Sequence, residues 1–163
     1  MSSNLKANIR AGKLAIGGWL QIPSVELAEA LASCGFDWVA IDMEHGSSDL
    51  PDLTALLMAI ERRGAVPLAR LPKADPHLGR RILDAGAAGL IVPVVEDAAA
   101  FSTFIKHCLY PPRGWRGVGL SRANLWGDGF KSNFEDFQPV IMPQIETVKG
   151  VEAAAEIAKH PMV

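Results

Sequence analysis

Five apolar runs, each followed by a capping residue and a segment with helical spacing, set what this chain of 163 residues can fold into. They are Leu14–Leu20, the apolar start of Phe36–Gly46 (FDWVAIDMEHG), Ala65–Leu71, Leu90–Val95 and Val140–Ile145. They do not alternate apolar with polar residues, so each reads as a strand covered on both faces. That is the pattern of a parallel sheet with helical crossovers. A short helix over Asn4–Ala11, with Leu5 and Ile9 on one face and Gly12 as its stop, precedes the first strand. Ser24 caps a helix over Val25–Cys34, which Gly35 closes. Pro51 sits in the first turn of a helix that Arg62 and Arg63 complete and Gly64 ends. Asp75 caps a helix beginning at Pro76 and running to Leu83, and Asp97 caps one running to His107. Thr147 opens the last, to Lys159. Residues 110–138 break the rhythm: rich in glycine, proline and aromatics and without clear periodicity, they read as a functional loop. A short strand is expected at Trp115–Leu120.

Net charge −2 gives no electrostatic footprint for nucleic acid or an anionic membrane. Cys34 and Cys108 match neither a metal spacing nor a disulfide framework, and read as free buried thiols in a reducing compartment. No apolar run reaches the length of a membrane span. The start, MSSNLKANIRAGK, lacks the apolar centre of a signal peptide. The cytoplasm is therefore the expected location.

In a βα-barrel, functional groups collect where strands end and βα loops begin. Those positions here hold Trp19 and Gln21, then Asp42, Glu44 and His45, then Arg70, then Glu96, then Gln144 and Glu146. A doubly wound open sheet is the competing architecture, but no GxGxxG turn follows the first strand. Carboxylates at strand ends are hard oxygen ligands of the kind Mg²⁺ or Mn²⁺ favours. Arg70 offers a cationic fork for a carboxylate or enolate oxygen. His45 moves protons near neutral pH. A metal, an arginine and a histidine around one cleft suit enolate chemistry on a 2-oxo acid. Singly, each residue has a plainer explanation. Arg70 reads as a surface ion-pair partner, Glu146 as a solvated carboxylate, Asp84 as a turn residue before Gly86, and Lys73 as a solvated lysine. His77, His107 and His160 read as exposed and without a role. The argument for a site is that four of the five strands end in such residues together.

FDWVAIDMEHG, the arginine of PLARLP, LDAGAAGLIVPVVE, YPPRGWRGVG and QIET, in this order, resemble the HpcH/HpaI-type class II pyruvate aldolases of the phosphoenolpyruvate/pyruvate-binding barrel superfamily. The resemblance implies an α/β fold, the (β/α)8 barrel, with about its first five βα units in a single partial domain over residues 1–163. It implies a lyase that reversibly cleaves a 4-hydroxy-2-oxo acid to pyruvate, or a related 2-oxo acid, plus an aldehyde. A divalent metal (Mg²⁺, Mn²⁺ or Co²⁺) is the implied cofactor, and a homo-oligomer the implied assembly. Carried over by motif, Glu146 is a metal ligand and His45 the acid/base group, with Asp84 as its partner across the active site. Arg70 binds the keto or enolate oxygen. Gln144 and Asp42 support metal-bound water or substrate, Trp19 lines the pocket, and Glu44 stands behind these. The family's second acidic ligand, an aspartate after a sixth strand, has no match before Val163. A barrel of this kind takes about 250 residues. The expectation is a partial chain of a longer aldolase. The alternative is a non-catalytic fragment or pseudoenzyme that binds a 2-oxo acid or a partner subunit.

Overall fold

The computed structural model describes residues 2–163, with side chains from Leu5 onward. Its centre is a five-stranded parallel sheet: β1 (Gly17–Leu20), β2 (Trp38–Asp42), β3 (Val66–Arg70), β4 (Gly89–Val92) and β5 (Val140–Pro143). Strand order follows chain order, β1-β2-β3-β4-β5, and every pairing is parallel. Each crossover therefore moves one strand onward in the same direction. Right-handed crossovers that never reverse put their helices on one face of the sheet. This is the barrel arrangement. A doubly wound sheet requires a reversal, and no reversal occurs among the described residues.

The crossover helices are α2 (Val25–Ala32), α3 (Leu50–Arg62), α4 (Pro76–Asp84) and α5 (Ala98–Cys108), with α7 (Val148–Ala158) after β5. Local chemistry sets their starts as expected. Ser24 Oγ accepts from Leu27 N, Asp75 Oδ1 from His77 N, Asp97 Oδ1 from Ala100 N and Thr147 Oγ1 from Gly150 N. Asp49 caps α3 in a reciprocal box with Asp52. Gly35 and Gly64 close α2 and α3 with φ of 87° and 89°.

Period-two geometry sorts the strand residues into two cores. Val39, Ile41, Ala69, Leu90, Val92 and Ile141 face outward into the main core beneath the helices. Ala40, Val66, Leu68, Ile91 and Val140 face inward. This inner face is covered by Leu5 of α1 (Ser2–Arg10), which is why an amphipathic helix precedes the first strand.

Four expectations change. β1 starts at Gly17, not Leu14: Leu14 and Ile16 are exposed. No strand forms at Trp115–Leu120, because the N–H groups of Trp115 and Arg116 turn back to Lys106 O and Leu109 O at the end of α5. The 110–138 segment instead carries a 3₁₀ stretch (Arg122–Gly127) and α6 (Phe130–Asp136). Phe130 and Phe134 stack at 6.0 Å, and Tyr110 stacks on Phe134 at 5.2 Å. Cys34 is exposed and only Cys108 is buried. His107 and His160 are half-buried, set edge-on against Trp115 and Phe101 respectively.

Candidate active site

Parallel pairing aligns the inward positions into layers. One holds Trp19, Ala40, Leu68, Gly89 and Val140. The next, toward the strands' C-terminal ends, holds Asp42, Arg70, Ile91 and Met142. The apolar inner core therefore gives way to ions at the layer where β2 and β3 end, on the face where barrel sites form.

Asp42 is the best-connected of these groups. Fully buried, it accepts from Arg70 Nε at 2.9 Å and Nη2 at 2.6 Å, from Gln21 Nε2 at 3.1 Å, and from the backbone N–H groups of Glu44 and His45, both at 3.1 Å. Burial pushes its carboxyl up. The hydrogen bonds from Arg70, His45, Gln21 and Glu44 outweigh burial and hold it well below the usual carboxylate range. The Asp42 hydrogen bond in turn raises the Arg70 guanidinium above its ordinary value.

Arg70 is thus fixed in direction. Its remaining nitrogen, Nη1, lies 3.2 Å from Glu44 Oε2. Its guanidinium carbon stands 4.7 Å over the Trp19 ring, which is itself braced edge-on by Trp38. His45 hangs from the same turn. Its ring Nε2 is 4.0 Å from Glu44 Oε1, and its side chain is 68% exposed, so it reaches the open side of the cluster. Gln21, for which the sequence reading had no role, helps hold Asp42.

The β5 end supplies Gln144 and Glu146. Gln144 extends the ladder to β4 through its backbone, and its side-chain Oε1 is buried without a partner. Glu146 Oε1 accepts from Val94 N at 2.8 Å, and its charge is felt at Arg70. Glu96 is drawn aside, taking Thr147 Oγ1 at 2.8 Å and Lys149 Nζ at 3.6 Å.

Tested against a hard divalent cation, the donors fit in kind: the Glu146 carboxylate and the orphaned Gln144 amide oxygen offer oxygen donors at a strand end. Asp42 does not serve, since Arg70 occupies both its oxygens. No group of three acidic, histidine or cysteine side chains able to hold a metal occurs among the described residues.

Asp84 departs from the sequence reading. It is the last residue of α4. Because α4 runs back from the end of β3 to the start of β4, Asp84 lies at the opposite end of the sheet from His45. Within one chain the two do not meet. Asp84 Oδ1 instead takes Arg116 Nη2 at 2.6 Å. Arg116 is fully buried, its guanidinium 4.5 Å from the Tyr110 ring and 4.7 Å from that of Phe137. Nothing in the sequence separated Arg116 from Arg113, because the two rings that enclose it come together only in the fold.

Relatives share this architecture. The chain is 34% identical over 160 residues to a hydroxypyruvate/pyruvate aldolase from Roseovarius nubinhibens, covering 96% of this chain and 62% of the relative. It is 37% identical over 162 residues to a 4-hydroxy-2-oxovalerate aldolase from Novosphingobium aromaticivorans, covering 96% and 60%. The crystal structure of a family protein from Burkholderia cenocepacia superposes with a TM-score of 0.89 at 34% identity, over 98% of this chain and 66% of that one. The chain thus spans about 60% of the length of the curated relatives it matches. No helix among the described residues is long and apolar enough to cross a membrane. The family model for HpcH/HpaI aldolase/citrate lyase matches residues 15–163, and the chain belongs to that family.

Proposed function

We propose that the protein to which these residues contribute is a divalent-metal-dependent aldolase that reversibly cleaves a 4-hydroxy-2-oxo acid to pyruvate, or a related 2-oxo acid, and an aldehyde. The observation that carries this reading is the Arg70 guanidinium, held by Asp42, Glu44 and Trp19 in an ionic layer at the strand ends, beside the exposed His45.

Arg70 stabilises the negative charge that develops on the 2-oxo oxygen as the C3–C4 bond breaks. His45 takes the proton from the 4-hydroxyl while that oxygen becomes the aldehyde carbonyl. The bond electrons form the C2–C3 enolate, and the proton returns to C3 to give the 2-oxo acid. Trp19 forms one wall of the pocket and limits water access. Asp42 and Glu44 hold the arginine, and Gln21 holds Asp42. Glu146 and Gln144 would hold the metal, which when bound polarises the 2-oxo carbonyl. Asp84 takes no part within the same chain.

The relatives' names support the substrate class. Function in the cytoplasm as a homo-oligomer belongs to the same proposal. The oligomer is supported by the exposed Trp115, Leu120, Leu125 and Trp126 of the 110–138 segment. A second reading, a non-catalytic binder of 2-oxo acids, is favoured by the lack of a three-residue metal cluster among the described residues.

The test is pyruvate release from 4-hydroxy-2-oxo acids with added Mg²⁺, Mn²⁺ or Co²⁺, for this chain and for a chimera carrying the C-terminal portion of a relative. Release by either supports the aldolase. Pyruvate binding by calorimetry, with no release from either protein, favours the binder.

A further inference from the structure

The end of β4 contains an irregularity with a consequence for Glu146. In a regular parallel ladder, the residue of β5 that donates to Val92 O accepts in return from the N–H of residue 94. Here Gln144 N donates to Val92 O at 2.8 Å, but Gln144 O accepts from Val95 N, at 3.1 Å. One extra residue has been inserted, a β-bulge. Val94 is that residue, and its backbone sits at φ 50°. The left-handed region is uncommon for any residue with a Cβ and an outlier for a β-branched one. The Val94 side chain does not require the conformation, being half exposed at 51%. What the turn accomplishes is to release the Val94 N–H from the ladder and send it to Glu146 Oε1, 2.8 Å away and 52 residues on. Buried Pro93 before it and buried Val95 after it hold the strained residue in place.

We infer that Val94 is a positioning residue for Glu146: the bulge between β4 and α5 spends its displaced N–H on one carboxylate oxygen, leaving the other to face a divalent cation. The inference rests on the reading of Glu146 as a metal ligand. It assigns the function to the main chain, so the side chain at 94 is replaceable and the N–H is not.

The probe is Mn²⁺ alone, its free concentration followed by electron paramagnetic resonance, with no substrate and no turnover. Replacing the Val94 residue by its α-hydroxy acid analogue puts an ester oxygen in place of the N–H and leaves the side chain unchanged. This variant should bind Mn²⁺ about tenfold more weakly or worse, the scale of losing a group that orients a metal ligand. Val94→Gly keeps the N–H and adopts positive φ freely, so it should bind as the wild type does. An ester variant that binds Mn²⁺ like a competent wild type overturns the inference and leaves the metal reading standing. If neither this chain nor the chimera with a relative's C-terminal portion binds Mn²⁺, the metal reading falls first and the inference with it. If the ester variant does not fold, amide exchange decides: Val94 N–H protection should be lost in Glu146→Ala, and protection unchanged by that substitution overturns the inference.

Discussion

Asp42 and Arg70 are register partners across β2 and β3, and their side chains close a two-bond fork, Nε to Oδ1 at 2.9 Å and Nη2 to Oδ2 at 2.6 Å. Strand pairing alone brings these residues level on the inner face. The fork then fixes the guanidinium plane, and only Nη1 is turned elsewhere, toward Glu44. A planar donor held this way is organised before any substrate arrives. Arg70→Ala should lower turnover by about two orders of magnitude or more, the scale of losing one preorganised charge-stabilising donor. Arg70→Lys should not rescue it, because an ammonium cannot fill both sides of the fork. Steady-state kinetics on the metal-loaded protein decides; a loss below about tenfold would contradict the placement.

The same fork sets a pH dependence. Asp42 is held below the usual carboxylate range in the folded state. Such a group contributes stability above its unfolded pKa, about 4, and that contribution is lost as pH falls toward the lower folded value. The urea midpoint should therefore drop as pH is lowered from about 5, and Asp42→Asn should flatten this acid limb. At neutral pH the same variant should cost on the order of 3 kcal/mol, because it leaves Arg70 largely buried with its fork half broken. An acid limb of equal slope in the variant would assign it to other carboxylates.

The two cysteines should differ sharply. Cys34 is exposed at the end of α2, whereas Cys108 is fully buried under α4, and burial pushes its thiol up to about 12. The thiolate is the reactive form, so Cys108 is shielded twice, by access and by protonation. A thiol reagent at neutral pH should label Cys34 alone in the native protein and both residues in urea. Native labelling of Cys108, located by peptide mass, would mean that α4 opens readily.

Much of this was legible in the sequence, and the reasons are local. Caps at Ser24, Asp75, Asp97 and Thr147 depend on one side chain and the next turn, so their residue types announced the helix starts. That Asp42 and Arg70 stand at strand ends was also readable, from where the apolar runs stop. What pairs them is register, which the runs WVAID and VPLAR do not state. Motif order does not state where Asp84 lies: a residue ending a crossover helix returns to the far end of the sheet, away from His45 of the same chain. α6 was not read from the sequence: Phe130 and Phe134 are spaced four apart, but the glycines before them leave no clear period. Val94 could not have been found, since valine is among the residues least suited to left-handed backbone. Arg116 was equally hidden: its burial depends on Tyr110 and Phe137, 27 residues apart in sequence.

Gly46 gives the most direct test of how tightly the His45 turn is built. A Cβ at this position would lie 2.2 Å from Asp42 O, 2.9 Å from Gln21 O and 3.1 Å from Gln21 Cα. All three are backbone atoms of the strand ends that carry the site, so none can swing away as a side-chain tip would. The neighbouring Ser47 N–H also bonds to Gln21 O at 3.0 Å, which ties the turn to β1. Gly46→Ala must then push the turn off β1 and β2. Overpacking of this kind costs about 1–3 kcal/mol. The displacement acts on Gln21 and Asp42 together, and through Asp42 on Arg70. Turnover should therefore fall further than stability alone accounts for, with the Arg70 side-chain resonances shifted in NMR spectra of the folded variant. Wild-type resonances with only a lowered unfolding midpoint would show that the turn moves independently of the arginine.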